Sequence, residues 1–456
     1  VQLASVGQLW LKMPKDTGFK QQESAADTLF QFSDHVNVVL MVIDTFQSDL
    51  FPDILRQHPD LEAAFDGFTY FRNALSGSDG TIVSVPIMLT ANSYDNSVPY
   101  LEYVKTSFLG NSLPKTLREY GFAVDLFPLL GYTVYTDFSG LPFGGKKLRD
   151  WRAFAREQAF LLDLALFRSA PQPLKRLVYN RQHWLLAVLL EDVFDRRDAG
   201  GAPSDEAGGS AEASTLKYAE ELENMQILVN KNRDPRFIMN MIGQSGVMRG
   251  RDAFKFIHLK GLHLPLIMNE DLDYEEMEPY RDNMLRQGAG MLKIAATFLE
   301  RLEQLGVYDD SLVFIVADHG SGVADAKINP TPYGDGLNRG GPYPGNFRSF
   351  KAAGIPLVLV KRLNARGPLA TSGAPVALGD IPRTVAEELG LKADFPGRSM
   401  FSVADGEPRE RIYRAFIGPQ IDVEYLAPLL EYAVVGDSWD DTSWRETGNV
   451  YYAPKE

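Results

Sequence analysis

An aspartate and a histidine stand side by side directly after an apolar run in residues 311–322, SLVFIVADHGSG. These two residues are Asp318 and His319, and a carboxylate beside an imidazole suits a hard or borderline divalent cation. Residues 37–49, NVVLMVIDTFQSD, repeat this design, with an apolar run that ends in Asp44. We therefore predict that Asp44, Asp318 and His319 meet around one metal ion.

Two buried strands are needed to bring these residues together. Uninterrupted Val, Ile and Phe without polar alternation is typical of a strand that is buried on both faces, as in a parallel sheet flanked by helices. Open α/β sheets bind their ligands at the carboxyl ends of such strands, which is where the polar residues stand here. The alternative is that each aspartate only caps the turn after its strand, and either strand taken alone favours that explanation.

A threonine stands where a helix is predicted to begin in residues 76–92, SGSDGTIVSVPIMLTAN. The Ser, Gly and Asp residues predict a turn, with Thr81 at the start of the helix that follows it. A hydroxyl at this position lies among unpaired backbone N–H groups at the positive end of the helix dipole, which favours a bound anion. The alternative is that Thr81 is simply the N-cap, and the pattern alone favours the cap.

Two histidines follow in a further strand and its turn. His258 lies in the strand predicted over residues 254–259, and His263 lies in the turn KGLHLP. A spacing of five places them on opposite faces of a regular strand, so we expect one of them to face the site. We predict that this residue is His263, and that His258 is a core histidine with satisfied hydrogen bonds.

The composition excludes several classes of function. The chain has 456 residues, and 46 Lys plus Arg against 60 Asp plus Glu give a net charge of −14, so a nucleic-acid partner is not expected. Cysteine is absent, which excludes disulfides, thiolate metal sites and a cysteine nucleophile. No run approaches the roughly 18 apolar residues of a membrane-spanning helix. Because the chain opens at Val1 without an initiator Met, we expect a processed or truncated product whose membrane part or signal sequence has been removed.

The order of the elements predicts an α/β fold with a mostly parallel central sheet flanked by helices and a small antiparallel appendage at the C-terminus. We predict a lead-in segment over residues 1–35, a catalytic domain over residues 36–400 and a β-rich subdomain over residues 401–456. Residues 198–214 are rich in Gly, Ala and Ser, which predicts a mobile loop inside the catalytic domain.

Taken in order, these stretches resemble a known family. A strand ending in Asp44 is followed by Thr81 before SVPIMLTA, then by HLKGLHLP, FIVADHGSG and GIPLVLVK, and finally by APVALGDIPRTVAEELGL. Over residues 36–400 the chain resembles the sulfatase-like branch of the alkaline phosphatase superfamily. Within that branch it is most similar to the extracytoplasmic domains of phosphoethanolamine and phosphoglycerol transferases, including lipoteichoic acid synthases. The resemblance implies transfer of a phosphorylated headgroup from a phospholipid to a glycan or lipid through a phosphothreonine.

The resemblance also implies roles for single residues. Asp44, Thr81, Asp318 and His319 would hold one divalent ion, Zn or Mn, and Thr81 would be the nucleophile. His263 falls on a histidine that helps to bind or protonate the phosphoryl group in these enzymes. The implied partners are a phospholipid donor, a glycan or lipid acceptor and a membrane surface. The implied location is extracytoplasmic (periplasmic), in the soluble domain of a membrane-anchored protein.

Three departures from the family pattern leave alternatives open. The transferases usually carry Glu where this chain has Asp44, which is closer to the hydrolytic members. No histidine follows His319, although several relatives have one there that bears on a second metal ion or a substrate contact. The disulfides common in the phosphoethanolamine transferases are impossible. The alternatives are a metal-dependent hydrolase of phosphodiesters or phosphonate esters, and a non-catalytic module that keeps the fold.

Sulfate ester hydrolysis is the weaker hypothesis. A sulfatase needs a Cys or Ser within C/S-x-P-x-R that is oxidised to formylglycine, and here Ser84 supplies Ser-x-Pro but Met88 replaces the Arg. Counting back from LTA at residues 89–91 places the family's nucleophile at Thr81, and threonine cannot become formylglycine.

Overall fold

The structure is a computed structural model that describes residues 30–137, 179–180, 183–184, 233–321, 349–417 and 424–454. Within these residues the strands are β1 (Gln31–Ser33), β2 (Asn37–Ile43), β3 (Phe68–Phe71), β4 (Ala74–Leu75), β5 (Ala123–Phe127), β6 (Tyr179–Asn180), β7 (His183–Trp184), β8 (Gly246–Met248), β9 (Ala253–Leu259), β10 (Leu266–Met268), β11 (Tyr274–Met277), β12 (Ser311–Val316), β13 (Val358–Lys361), β14 (Ala370–Ser372), β15 (Val376–Ala377), β16 (Glu410–Phe416), β17 (Leu429–Val435) and β18 (Trp444–Tyr451). The α-helices are α1 (Leu50–Gln57), α2 (Thr81–Thr90), α3 (Tyr100–Gly110), α4 (Leu113–Glu119), α5 (Arg233–Gln244), α6 (Arg281–Gln304), α7 (Ser349–Ala353) and α8 (Ile381–Glu388).

Seven of these strands form the central sheet, in the order β14-β3-β13-β12-β2-β9-β5. The pairs β14–β3, β12–β2, β2–β9 and β9–β5 are parallel, whereas β13 runs antiparallel to both β12 and β3. The predicted α/β class with a mostly parallel central sheet is therefore confirmed.

The middle strands of the sheet are buried on both faces, as their unbroken apolar runs predict. In β2, Val39, Met41 and Ile43 pack into one hydrophobic core, while Val38 and Val42 belong to a second core on the opposite face. Strand β12 divides its side chains between the same two cores. Because side chains alternate along a strand, an apolar residue at every position is needed to fill both cores.

Helices cover each face of the sheet. The long helix α6 contributes much of the first core, and α1 and α5 add Ile54 and Ile238 to it. The second core is filled from α2, α3, α4 and α8. Thus α2, which begins at Thr81, lies on the same face of the sheet as Val38 and Val42.

A smaller antiparallel sheet, β16–β17–β18, follows near the C-terminus and confirms the predicted appendage. Its inner face packs Tyr413, Tyr432 and Trp444 into a third hydrophobic cluster with Ile355. The edge of this sheet also approaches the start of α2, since the backbone N–H of Phe416 donates to a carboxylate oxygen of Asp79 at 3.2 Å. The appendage therefore supports the turn that precedes Thr81.

Several predicted segments lie partly or wholly outside the described residues. Residues 1–29 and the predicted mobile loop at 198–214 are outside them. Within the predicted lead-in, β1 pairs in parallel with β8, and Phe32 is part of the first core. Residues 144–233 form a separate unit, in which the described strands β6 and β7 pair antiparallel. Among the described helices, none has the length and hydrophobicity that a membrane crossing requires.

Candidate metal centre

Asp44 and Asp318 leave the sheet together because their strands are parallel neighbours in register. Val42 of β2 pairs with Val316 of β12, and each aspartate follows two residues later. Both aspartates therefore share the side of the sheet that carries Val42 and Val316, which is the side covered by α2. Both side chains are almost completely buried. Two buried carboxylates at one level require a nearby positive charge, because their burial without one is costly.

Within the described residues, each of the two carboxylates has one oxygen with a hydrogen-bond partner and one oxygen without. Oδ1 of Asp44 accepts a hydrogen bond from Oγ1 of Thr45 at 2.5 Å. Oδ1 of Asp318 accepts from the backbone N–H groups of Thr45, at 3.2 Å, and of His319, at 2.9 Å. Oδ2 of each aspartate has no hydrogen-bond partner within the described part of the chain.

His258 faces both bare oxygens. It pairs with Val42 across the parallel strands β2 and β9, so it stands at the level of the aspartates and on their side of the sheet. Its Nε2 lies 3.6 Å from Oδ2 of Asp44 and 3.9 Å from Oδ2 of Asp318, which is too long for a hydrogen bond. Neither ring nitrogen of this buried side chain has a partner among the residues that the structure describes.

The prediction that His258 is a satisfied core histidine is therefore wrong. The expectation that only one of His258 and His263 faces the site requires a regular strand between them. Strand β9 ends at Leu259, and Gly261 takes up a left-handed conformation with φ +58°, which breaks the alternation before His263. The sequence did contain a signal for His258, because it shares the parity of Phe254 and Phe256 and so points to the face of the sheet that carries Asp44.

His319 completes the cluster from the other side. Its Nδ1 donates to the carbonyl of Gly320 at 2.8 Å, so Nε2 is directed toward the carboxylates, 3.7 Å from Oδ1 of Asp44 and 3.7 Å from Oδ2 of Asp318. Burial alone would lower the pKa of His319, but the charges of Asp318 and Asp44 outweigh this effect and raise it. In the same way, burial would raise the pKa of Asp44, and the imidazoles of His258 and His319 lower it instead.

Thr81 joins this cluster through its hydroxyl. Its Oγ1 lies 3.4 Å from Nε2 of His319, and the residue is 8% exposed. Gly80 is the N-cap of α2 and Thr81 is the first helical residue, so the explanation of Thr81 as a capping residue is wrong. The hydroxyl stands where the first backbone N–H groups of the helix have no partner inside the helix.

Helix α2 is held firmly although it contains a proline. Pro86 has no N–H to donate to the carbonyl of Ile82, four residues before it. The hydroxyl of Tyr100 in α3 donates to that carbonyl at 2.7 Å and replaces the missing bond. This bond satisfies the carbonyl that the proline leaves without a partner in the helix that carries Thr81.

His263 lies in an exposed turn that packs directly on Asp44. The backbone N–H of Leu262 donates to the carbonyl of Asp44 at 2.9 Å, and a Cβ added at Gly261 would lie 2.5 Å from the same carbonyl oxygen. Gln287 of α6 donates to the carbonyl of Gly261 at 2.6 Å and so holds the turn from behind. The structure thus brings Asp44, Thr81, Asp318 and His319 together, and it places His263 in the turn next to Asp44.

The residues present fit a divalent cation. One ligand atom each of Asp44, His258 and Asp318 lies within 4.8 Å of the others, and all three residues are buried. Three polar atoms that lack a hydrogen-bond partner among the described residues face one another there: two carboxylate oxygens and one imidazole nitrogen. Buried polar atoms are normally paired, and this donor set is suited to a borderline or hard divalent metal. We call these three residues, together with His319 and Thr81, the cation pocket.

The chain is similar in sequence to one family model, and several solved structures are similar to it. A family model described as Sulfatase matches residues 36–349. Similar solved structures include a phosphonate monoester hydrolase from Silicibacter pomeroyi, with 15% identity, coverage of 89% of this chain and 87% of that chain, and a TM-score of 0.44. They also include the lipoteichoic acid synthase LtaP from Listeria monocytogenes, with 12% identity, coverage of 88% and 85%, and a TM-score of 0.42. No curated protein matches the chain.

Proposed function

Because the chain belongs to the sulfatase family, we propose that it is a metal-dependent transferase that moves phosphoethanolamine or phosphoglycerol from a phospholipid to a glycan or lipid through a phosphothreonine at Thr81. The predicted resemblance to the sulfatase-like branch of the alkaline phosphatase superfamily is confirmed by the family match. Enzymes of this superfamily use metal ions, and the chain carries a candidate site for one.

The observation that carries the proposal is the position of the Thr81 hydroxyl. It stands at the first turn of α2, 3.4 Å from Nε2 of His319, which in turn faces both carboxylates of the cation pocket. An alcohol is a weak nucleophile at its free pKa and must be activated by its surroundings. A threonine cannot serve as a formylglycine precursor, so this position favours phosphoryl transfer over sulfate ester hydrolysis.

In the first half of the proposed reaction, Oγ1 of Thr81 forms a bond to the phosphorus of the donor phospholipid. The bond between that phosphorus and the diacylglycerol oxygen breaks, and the diacylglycerol alkoxide takes a proton from His263. The hydroxyl proton of Thr81 passes to a solvent water as the oxygen attacks. The products are diacylglycerol and a Thr81 phosphodiester that carries the headgroup.

In the second half, a hydroxyl of the acceptor attacks the same phosphorus. The bond to Oγ1 of Thr81 breaks, Oγ1 takes back a proton from solvent water, and the headgroup is now attached to the acceptor. The free N–H groups at the start of α2 stabilise negative charge on the phosphoryl oxygens in both halves. Proton donation from His263 to the first leaving group reverses here, with the imidazole taking the acceptor's proton.

We propose that the cation pocket holds one ion, Zn or Mn. Asp44, Asp318, His319 and Thr81 would hold it, with His258 as a further ligand that the family pattern did not assign. When bound, such an ion supplies positive charge that helps the threonine hydroxyl to ionise and neutralises the phosphoryl oxygens. The proposal is supported by Oδ2 of Asp44 and Oδ2 of Asp318, which have no hydrogen-bond partner in the described part of the chain.

The proposed partners and location follow from the proposed substrates. A phospholipid donor requires access to a membrane surface, and a glycan or lipid acceptor of the cell envelope is found outside the cytoplasm. We therefore propose an extracytoplasmic, periplasmic location, as the soluble domain of a membrane-anchored protein. The acidic balance of the chain supports the absence of a nucleic-acid partner.

A hydrolase is the second candidate function, and Asp44 is the observation that favours it. The transferases usually carry Glu at this position, whereas hydrolytic members carry Asp. In that case water would attack the phosphothreonine in place of an acceptor hydroxyl. Release of free headgroup at equal rates with and without a glycan acceptor would favour the hydrolase, and a strong dependence on the acceptor would favour the transferase.

Intact mass spectrometry tests the proposal most directly. The manganese-loaded chain is incubated with vesicles of phosphatidylethanolamine or phosphatidylglycerol. The reaction is then quenched in acid, and the mass of the intact chain is measured. We expect a mass increase of one phosphoethanolamine or one phosphoglycerol unit, mapped to the peptide that contains Thr81, and no increase in Thr81→Ala.

Ser84→Ala is the matched control for this experiment. Ser84 lies one turn further along α2, but it is fully buried and its hydroxyl donates to the carbonyl of Ser78 at 3.0 Å. We expect this variant to form the adduct as the wild type does. An adduct that persists in Thr81→Ala, or a wild-type chain that turns over both lipids without any adduct on Thr81, would contradict the proposal.

A further inference from the structure

Thr45 has an unusual backbone conformation at the centre of the cation pocket. It follows Asp44 directly, is buried and has a φ of 60°, in the left-handed region. Residues with a branched Cβ rarely adopt this region, because Cβ approaches the backbone. Strain of this kind persists where the surroundings require it, and it is concentrated at functional sites.

The chain changes direction at Thr45, and glycine would adopt the left-handed conformation needed there without strain. Directly after it the chain runs beside the segment before β13, where the N–H of Leu357 donates to the carbonyl of Phe46 at 2.8 Å and Gln47 pairs with Pro356. A sharp change of direction is therefore needed after Asp44. Glycine is the usual residue at such a position, so the backbone alone does not explain a threonine there.

The side chain and the backbone N–H of Thr45 contact both aspartates of the pocket. The hydroxyl donates to Oδ1 of Asp44 at 2.5 Å, and the N–H donates to Oδ1 of Asp318 at 3.2 Å. The atoms without a described partner are the other two oxygens, Oδ2 of Asp44 and Oδ2 of Asp318, and these are the atoms that face His258. Thr45 thus occupies one oxygen of Asp44 and, together with the N–H of His319, one oxygen of Asp318. The second oxygen of each carboxylate faces the pocket.

We propose that Thr45 is a positioning residue that orients both carboxylates of the cation pocket so that each presents one oxygen to a divalent ion. Groups that hydrogen-bond to metal ligands fix the orientation of those ligands, and their loss typically weakens metal binding about 10- to 100-fold. The backbone bond to Asp318 survives any substitution that keeps the conformation, whereas the bond to Asp44 depends on the hydroxyl. The inference rests on the metal-binding part of the proposed function and not on headgroup transfer.

Calorimetric titration of Mn²⁺ into the metal-free chain tests this role in three variants. Thr45→Val keeps the branched shape and removes the hydroxyl, Thr45→Ser keeps the hydroxyl, and Thr45→Gly removes the hydroxyl and relieves the left-handed strain. We expect Mn²⁺ binding to weaken about 10-fold or more in the Val and Gly variants. The Ser variant should stay within about threefold of the wild type, because it still donates to Asp44.

Thermal unfolding of the same metal-free variants separates positioning from stability. Thr45→Gly should unfold at a higher temperature than Thr45→Val, because the glycine is unstrained, although both bind Mn²⁺ weakly. Metal affinity that follows the unfolding temperature and not the hydroxyl would overturn the inference, as would wild-type affinity in Thr45→Val. Wild-type protein that binds no divalent ion would instead overturn the metal site and the proposed function with it.

Discussion

Nε2 of His258 and Oδ2 of Asp44 face each other at 3.6 Å inside the protein, and neither atom has a hydrogen-bond partner among the described residues. At this distance the imidazole and the carboxylate do not form a hydrogen bond with each other. Burying both groups without such a bond costs folding free energy, which a purely structural role does not explain. The same ring faces Oδ2 of Asp318 at 3.9 Å. This relationship makes His258 part of the cation pocket.

We expect His258→Gln to weaken Mn²⁺ binding by at least about 10- to 100-fold, because it removes an imidazole that faces both bare carboxylate oxygens. Titration calorimetry of the metal-free variant measures the change. The control is His35→Gln, which makes the same substitution at a side chain that is 75% exposed and hydrogen-bonded to Asp252. Equal affinity in the two variants would remove His258 from the metal site.

The turn that carries His263 offers a second test through its glycine. Gly261→Ala would place Cβ 2.5 Å from the backbone oxygen of Asp44, in a residue with φ +58°, so the turn must move away from the pocket. We expect Mn²⁺ affinity and turnover to fall at least about 10-fold, since a displaced ligand shell binds metal poorly.

Gly306→Ala is the control for backbone strain in this experiment. Gly306 has φ +71°, and a Cβ there would meet nothing within 4 Å. Both variants should lose about 1 kcal/mol of unfolding free energy from the left-handed alanine, as measured by urea denaturation. Only Gly261→Ala should lose metal affinity. The same affinity in both variants would show that the turn does not support Asp44.

Lys361 makes a pH-dependent contribution to stability. Its Nζ is buried and donates to the carbonyls of Tyr308, at 2.8 Å, and of Ser311, at 3.2 Å. Burial lowers the pKa of Lys361 from 10.5 to about 8 in the folded chain. The folded state therefore releases the Lys361 proton at a lower pH than the unfolded state does. The free energy of unfolding rises as pH increases from about 8 to 10.5, by at most about 3 kcal/mol.

Urea denaturation between pH 7 and 9.5 checks this expectation against Lys361→Met. As pH rises, the unfolding free energy of the wild type should increase relative to that of Lys361→Met. The control is Lys392→Met, at an exposed lysine, for which the difference should stay constant over this range. A constant difference for Lys361→Met as well would show that burial does not perturb its ammonium group.

Glu431 stabilises the C-terminal sheet in the opposite pH range. Its carboxylate accepts hydrogen bonds from Arg414 at 2.9 Å, Tyr451 at 2.7 Å and Asn449 at 2.8 Å. Burial would raise the pKa of Glu431, but these hydrogen bonds outweigh it and lower the pKa from 4.5 to about 2. The contribution is therefore complete above pH 4.5 and is lost as pH falls toward 2, with a maximum of about 3 kcal/mol.

We expect Glu431→Gln to be less stable than the wild type at pH 7, by about 1 to 3 kcal/mol. The gap should narrow as pH falls from 4.5 to 3, because the wild type then loses its charged hydrogen bonds. Urea denaturation across this range measures the gap. Glu410→Gln, at a side chain 55% exposed in the same sheet, should show no such convergence. If the difference in unfolding free energy between the wild type and Glu431→Gln stayed constant as pH falls, the charge of Glu431 would not be the cause of that difference.

The parts of the fold that are encoded locally could be predicted from the sequence. The apolar runs of β2 and β12 can be recognised without knowing their partner strands, because every position after the first residue of each strand is Val, Ile, Leu, Met or Phe. The direction of β13 was not accessible in this way, since an apolar strand reads the same in a parallel and an antiparallel sheet. The three-residue strand β1 is too short to carry a periodic signal and was included in the predicted lead-in.

The site was predictable only where a motif carried it. Asp318 and His319 are adjacent in sequence, so one short pattern suggested both, and Asp44 repeated it. His258 was assigned to the core because its role depends on register, which pairs it with Val42 on a distant strand. Thr45 carried no sequence signal at all, because its positive φ and its two contacts arise from the surrounding packing.

Strands β2, β9 and β12 are neighbours in the sheet and carry the ligands of the proposed metal site. This arrangement also decides when that site can form. These strands are contributed by an early, a middle and a late part of the chain, so a nascent fragment that ends before Asp318 lacks part of the ligand set. The full ligand set of the proposed ion therefore exists only once the chain has been synthesised beyond His319.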